Sequence, residues 1–377
     1  MPEQKRVLHV VASTSRAGVE MALMNLYRRI DRQKLRFDFV AHDRGNDDLS
    51  REIEEMGGRV FKVPLMTRVG VFRFMNTIYR IIRDNGPYIA LHTHTDHQGG
   101  FCAAAAKKAG VPLRICHAHT DTRSLRSAAY LAKRLIGRFV ISLYATRKCA
   151  CSENAAAALF GRRAVKKGEV TLIKNGVELS GFADIPARDK ERIRAELGAC
   201  GREILIGYVG RLSPEKNPGF IIEMAKESAA AGDGFRFAFA GDGVLADCLK
   251  KESDASGVSG RCVFLGTRED AALLMQCFDI VVVPSLSEGF SLVCAEAQAA
   301  GTPVLAASCV PAEADMGLGL FFRMSLRDGA HEWLLRAREI VSSSKRPDED
   351  TRFAALRKKG HDVSDNVGVY MRLYGLG

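Results

Sequence analysis

Short apolar runs rich in Val, Ile and Phe alternate along this chain with longer stretches whose apolar positions recur at helical spacing. Such runs, bounded by glycine, proline or asparagine, read as strands buried on both faces, and the longer stretches read as amphipathic helices. Regular alternation of the two calls for parallel sheets in doubly wound α/β domains. In the first half, strands are expected near Val7 to Ala12, Phe37 to Ala41, Arg59 to Val63, Tyr88 to His92, Leu113 to Cys116, Cys149 to Ser152 and Val170 to Ile173. In the second half they are expected near Ile204 to Tyr208, Phe235 to Ala240, Val263 to Leu265, Ile280 to Val283 and Pro303 to Ala306. Asn175-Gly176-Val177 reads as a turn and Pro186 with its charged neighbours as a linker, so a first domain over 1–177 and a second over 178–360 are expected.

Two strand-to-helix junctions carry chemistry. Val281-Val282-Val283-Pro284 ends a strand, and the chain continues through Ser285-Leu286-Ser287-Glu288-Gly289-Phe290 into a helix from Ser291 to Gly301. Gly289 permits close backbone approach, and the amides of Phe290, Ser291 and Leu292 at the helix start suit a phosphate or hydroxyl oxygen. Glu288 precedes the helix and Glu296 lies about one turn inside it, so one carboxylate can meet sugar hydroxyls and the other a ribose. The earlier junction, Tyr208-Val209-Gly210-Arg211-Leu212-Ser213-Pro214-Glu215-Lys216-Asn217-Pro218, carries cations instead. Gly210 frees the strand end, Arg211 offers a planar fork to a diphosphate and Lys216 adds a point charge. Alone, the first segment reads more readily as a helix-dipole Glu with a solvated Glu and the second as a solvated basic turn, and it is their pairing that points to a sugar-nucleotide site.

Taken with other motifs, the chain resembles the retaining glycosyltransferases of family 4. The motifs are Arg16-Ala17-Gly18-Val19-Glu20, Cys116-His117-Ala118-His119, Cys151-Ser152-Glu153, Asn175-Gly176-Val177, Gly210-Arg211 with Lys216, Gly241-Asp242-Gly243, and Glu288 to Glu296 running on to Gly301-Thr302-Pro303. Their order spans nearly the whole chain, and the second half is the more specific, particularly of the capsule and exopolysaccharide transferases. The resemblance implies the α/β GT-B architecture: two Rossmann-like doubly wound domains facing a central cleft, with residues 361–377 forming a last helix that crosses back to the N-terminal domain. It also implies an N-terminal acceptor domain and a C-terminal donor domain. The donor would be a nucleotide-diphosphate sugar, most often a UDP-sugar, transferred with net retention to an acceptor hydroxyl. Gly18, Gly210, Arg211, Lys216, Gly289 to Leu292 and Glu296 would hold the donor, the backbone around Gly266 to Arg268 would meet the base, and Glu288 would orient the sugar. The family places a histidine beside the donor sugar; His117 is favoured, although the spacing from Pro112 leaves His119 open. His94, His119 and Asp121 are candidate acceptor contacts. No cofactor and no metal are expected, because arginine, lysine and helix amides stabilise the leaving diphosphate, although His92-x-His94-x-x-His97 has a metal-like spacing.

Composition narrows the picture further. The 377 residues, 47% hydrophobic, suffice for two ordinary cores. Lys5 and Arg6 lead directly into a short strand and no apolar run is of spanning length, so a cytoplasmic protein is expected. The ten cysteines form no C-x-x-C pair; Cys102, Cys116, Cys277 and Cys294 fall in apolar elements and read as reduced core residues, and Cys149 and Cys151 read as alternate residues of a buried strand rather than as part of a metal site. Residues 1–177 hold 31 Lys and Arg against 15 Asp and Glu, while the remainder hold 24 against 29, so the net charge of +11 belongs to the first half. Two basic amphipathic segments lie there, Val69 to Arg83 and Arg123 to Lys148, each readable as a core-facing helix with a solvated cationic face or as a docking surface for anionic lipid. With the lipid reading, a peripheral position at the inner face of the plasma membrane and a polyprenyl-diphosphate-linked acceptor follow, with an oligosaccharide acceptor as the other choice. Nucleic acid is not expected, since no recognised binding module accompanies the charge. Two other functions fit the same architecture: a UDP-sugar epimerase, and a non-catalytic nucleotide-sugar sensor.

Overall fold

The computed structural model describes residues 4–16, 18–42, 49–120, 128–199, 201, 203–232 and 234–377. The chain divides into two compact units, residues 1–176 with 363–377, and residues 177–362.

The first unit is built on a seven-stranded parallel sheet: β1 (Lys5–Val11), β2 (Leu35–His42), β3 (Val60–Val63), β4 (Ala90–Thr93), β5 (Leu113–Ala118), β6 (Arg147–Ala150) and β7 (Val170–Leu172), in the order β3-β2-β1-β4-β5-β6-β7. The second holds a six-stranded parallel sheet: β8 (Ile204–Val209), β9 (Phe235–Ala240), β10 (Cys262–Gly266), β11 (Ile280–Val283), β12 (Val304–Ala307) and β13 (Phe321–Met324), in the order β10-β9-β8-β11-β12-β13. In each sheet the order reverses at one place, between β1 and β4 and between β8 and β11, and open α/β sheets bind ligands in the crevice such reversals create at the carboxyl ends of the strands. The two sheets are the doubly wound architecture expected. Every residue of β4, β11 and β12 is buried, and in β11 and β12 this is why the strand reads as an unbroken apolar run. β13, a half-buried edge strand interrupted by Arg323, is not among the strands expected from the sequence.

Helices cover the sheet faces. In the first unit the C-terminal helix Val363–Leu373 packs with Gly18–Arg29, adding Val363, Tyr370 and Tyr374 to a core that contains Tyr27, Phe37 and Phe39. In the second, Phe235, Phe237 and Phe239 of β9 pack with Trp333 of the helix Gly329–Ser343.

Candidate active site

The two junctions singled out in the sequence sit side by side, because β8 and β11 are neighbours at the reversal point of the second sheet. Several bonds lock their loops together. The Leu286 amide donates to the Glu215 carbonyl at 2.9 Å, and Asn217, in the left-handed region at φ 54°, donates its side-chain amide to the Pro284 carbonyl at 3.1 Å. The result brings Lys216 Nζ to 2.7 Å from Glu288 Oε1, and that carboxylate, only 8% exposed, also accepts the Ser285 hydroxyl at 2.8 Å. A cation and an anion thus share one mostly buried point at the strand ends. Asn217 and Ser285, which position the pair, had no signal in the sequence beyond lying in the two loops.

The glycines nearby serve backbone contact. Gly210 and Gly241 adopt φ of 145° and 153°, and a Cβ on Gly241 would lie 1.9 Å from the Gly210 carbonyl oxygen, so the loops after β8 and β9 touch only because Gly241 has no side chain. Arg211 is exposed, its carbonyl accepts the Tyr208 hydroxyl at 2.7 Å, and its guanidinium makes no hydrogen bond among the described residues. Glu215 beside it feels burial raising its carboxyl, but hydrogen bonds and the Arg211 and Lys216 charges hold it below the ordinary value.

Ser291 enters the helix Leu292–Ala299 at φ 72° and ψ 87°, a conformation that a residue with a side chain keeps only where its surroundings over-determine it. Gly289, Phe290 and Leu292 are buried; the Phe290 ring stacks on His361 at 4.5 Å, so Phe290 anchors the turn from below while its amide stays at the helix entrance. Glu296 is partly buried with no side-chain hydrogen bond among the described residues, and burial pushes its carboxyl up to about 7. Gly266 ends β10 in the open, its carbonyl accepting the Gly241 amide, whereas the Arg268 guanidinium is spent on a two-point ion pair with Asp270.

In the first unit Gly18 is exposed at the start of its helix, with open space around it. His94, His117 and His119 lie at the carboxyl ends of β4 and β5. They join His9 and His92 in one cluster, whereas His97 lies in the following turn against Tyr130. Asp121 lies outside the described residues. Burial holds all five clustered imidazoles below the ordinary histidine value, so they are neutral at neutral pH.

Comparison with known proteins agrees with this frame. Residues 16–180 match the family model described as Glycosyltransferase Family 4, residues 189–316 that described as Glycosyl transferases group 1, and residues 263–370 that described as Family 4 Glycosyltransferase in conflict systems. The chain is 36% identical over 375 residues to EpsF of Bacillus subtilis (strain 168), named as a glycosyltransferase, covering 99% of this chain and 97% of that one. It is 26% identical over 314 residues to the UDP-Gal:alpha-D-GlcNAc-diphosphoundecaprenol alpha-1,3-galactosyltransferase of Escherichia coli, covering 80% and 78%. Among solved structures, Anabaena HepE in complex with UDP and glucose superimposes with a TM-score of 0.76 at 19% identity, covering 99% of this chain and 100% of that one. Two doubly wound parallel sheets together with these matches define a glycosyltransferase of the GT-B type. The chain belongs to the family 4 glycosyltransferases.

Proposed function

We propose that this enzyme moves a sugar from a UDP-sugar, with retention at the anomeric carbon, onto a hydroxyl of a lipid-linked glycan during polysaccharide assembly. The observation that carries the reading is the Lys216–Glu288 pair at the reversal point of the second sheet, where a cation and a hydrogen-bond-accepting anion stand 2.7 Å apart. An activated sugar presents a diphosphate next to hydroxyls, and such a pair meets both.

On this reading the donor re-partners the ion pair: Lys216 turns to the diphosphate with Arg211, and Glu288 accepts hydroxyls of the sugar. The helix-entrance amides of Phe290, Ser291 and Leu292 face phosphate or sugar oxygens. Glu296 takes the ribose hydroxyls, and the Gly266 segment lies at the base. As the anomeric bond breaks, charge grows on the leaving diphosphate, which Lys216, Arg211 and the amides stabilise more than they stabilise the intact donor. The acceptor hydroxyl forms the new bond on the face the diphosphate leaves, and its proton passes to a departing phosphate oxygen. No metal takes part in this transfer step. The first unit supplies the acceptor side through the neutral imidazoles of His117 and His119, whereas both ring nitrogens of His94 are taken up by His9 and His119.

The donor choice draws support from HepE, whose complexes contain UDP, glucose and UDP-glucose, and the acceptor choice from the E. coli relative named for a diphosphoundecaprenol acceptor. A lipid-linked acceptor also suits the helix Ala128–Tyr144, which leaves Leu135, Ile136, Phe139 and Leu143 more than half exposed. The helix Val71–Asn85 buries Phe74, Ile78 and Ile82 and turns Arg73, Arg80 and Arg83 to solvent, with Phe72 its one large apolar side chain left exposed. No helix among the described residues is long and apolar enough to cross a membrane, so contact with lipid on this reading is peripheral.

Incubation with UDP-hexoses and an undecaprenyl-diphosphate-linked acceptor tests the proposal. The expected products are UDP and a glycan one residue longer, with the anomeric configuration of the donor kept. An epimerised donor formed without acceptor, or tight donor binding with no turnover across the acceptor panel, would replace the reading with the epimerase or the sensor.

A further inference from the structure

Five histidines from three adjacent strands of the first unit share one face of its sheet. The register pairs His9 with His92, and alternation along β4 and β5 turns His92, His94, His117 and His119 the same way. Two ring-to-ring chains run through them: His119 Nε2 to His94 Nδ1 at 2.8 Å and His94 Nε2 to His9 Nδ1 at 3.0 Å, then His117 Nδ1 to His92 Nε2 at 3.1 Å and His92 Nδ1 to the Tyr374 hydroxyl at 2.8 Å. Buried ring nitrogens at His9 Nε2, His117 Nε2 and His119 Nδ1 have no partner among the described residues. Each buried polar atom left so costs about 1–3 kcal/mol, which apolar side chains of similar volume would avoid. The arrangement therefore calls for something besides packing.

We propose that His94, His117 and His119, each with a ligand atom within 4.8 Å of the other two, form a binding site for a divalent first-row transition cation, with Zn²⁺ as the reference ion. The tautomers are consistent with it. A cation takes the place of the single proton shared by His94 Nδ1 and His119 Nε2 and accepts the unpartnered Nε2 of His117. His94 then keeps its proton on Nε2, donating to His9, and His117 keeps its proton on Nδ1, donating to His92, which in turn donates to the Tyr374 oxygen. Metal-bound histidines are ordinarily oriented in this manner by the bond their second nitrogen makes. Purely nitrogen ligands suit Zn²⁺, Co²⁺, Ni²⁺ or Cu²⁺ rather than Mg²⁺ or Ca²⁺. Three ligands leave a position open for water or a ligand oxygen. Of the two histidine triads in the cluster, this one has the route inward, since His119 alone among the five is partly exposed.

The site shares histidines with the acceptor side of the proposed function but does not need that function, so its test reads metal and not turnover. The full-length chain, purified without a metal-affinity tag and stripped with chelator, is titrated with Co²⁺ and then Zn²⁺. Expected are about one ion per chain, a visible d–d band displaced by Zn²⁺, loss of that band in His94→Gln and His119→Gln, and its retention in His331→Gln, an exposed histidine of the second unit. His9→Gln, which removes only an orienting bond, weakens binding by about 10- to 100-fold. Metal at trace level in the titrated wild-type protein, or binding unchanged in His94→Gln and His119→Gln, overturns the proposal. Should His94→Gln misfold by circular dichroism, His119→Gln and the wild-type Co²⁺ spectrum decide the matter.

Discussion

Lys216 and Glu288 illustrate how much one side-chain pair can commit a site. Glu288 is nearly buried and Lys216 retains a third of its exposure, so the carboxylate has given up most of its hydration for this one cation and the Ser285 hydroxyl. A donor that takes Lys216 onto its diphosphate must return hydroxyls to Glu288, which links diphosphate and sugar recognition. Lys216→Ala therefore lowers kcat about 10²- to 10³-fold, the loss typical of one preorganised group facing developing charge, with the fold retained by circular dichroism; nucleoside diphosphate release is the measurement, and wild-type turnover in the variant removes Lys216 from the chemistry. Glu296 carries a separate, pH-dependent signature. Its carboxyl is pushed up to about 7 by burial, and on the proposed reading only the ionised form would accept two ribose hydroxyls at full strength. Donor affinity, followed by calorimetry, should thus fall as pH drops through 7. In Glu296→Gln it should be about 10- to 100-fold weaker at pH 8, matching the about 1.5–3 kcal/mol of hydrogen bonds to a charged group, and flat with pH. A pH dependence surviving in the glutamine variant assigns the titration elsewhere.

Among the secondary elements, the helix Ala128–Tyr144 is the one whose surface departs most from its surroundings. A helix whose only task is to cover a sheet turns its apolar stripe inward, yet Leu135, Ile136, Phe139 and Leu143 point out. Replacing Leu135 and Phe139 with Asp together removes apolar side chains worth about 1.5–3 kcal/mol each when buried in lipid. Co-sedimentation with anionic vesicles should drop at least about tenfold with thermal stability unchanged, because both sites are exposed. Equal binding of the double variant and wild type excludes this helix as the lipid contact. β11 and β12 stand out in the sequence because two-sided burial leaves an unbroken apolar run, while β13, half-buried and broken by Arg323, leaves none. The two loops after β8 and β11 could be recognised as chemistry from Gly210, Lys216, Gly289 and Glu288, but not their latch, since an Asn217 side chain reaching the Pro284 carbonyl is a contact across 67 residues of sequence. The histidine cluster was illegible for the same reason. Local spacing grouped His92 and His94 with His97, whereas the period-two pleat and the strand order group them with His9, His117 and His119.

For the molecule as a whole, the chain passes between its two units twice, leaving the first after Gly176 and returning at Val363. The returning segment is integral to the first core: Val363, Tyr370 and Tyr374 are buried there, the Tyr374 ring lies 6.2 Å from Phe37, and its hydroxyl bonds to His92. At about 1.5–3 kcal/mol per large apolar side chain, removing these three costs an amount comparable to the whole stability of a domain, about 5–15 kcal/mol. The second unit, residues 177–362, loses none of its own core, in which Phe235, Phe237, Phe239 and Trp333 are all contributed from within it. Truncation after Asp362 should therefore abolish one calorimetric transition and spare the other. If the Lys216–Glu288 loops hold the donor, the surviving transition is the one that responds to nucleotide: UDP at 100 times its dissociation constant raises the stability of the unit that binds it by about 2.7 kcal/mol when the unfolded chain has no affinity. Calorimetry of the truncated chain with and without UDP reads both statements at once. A surviving transition that UDP does not move places the donor site outside residues 177–362, and two intact transitions show that the last helix is dispensable to the first core.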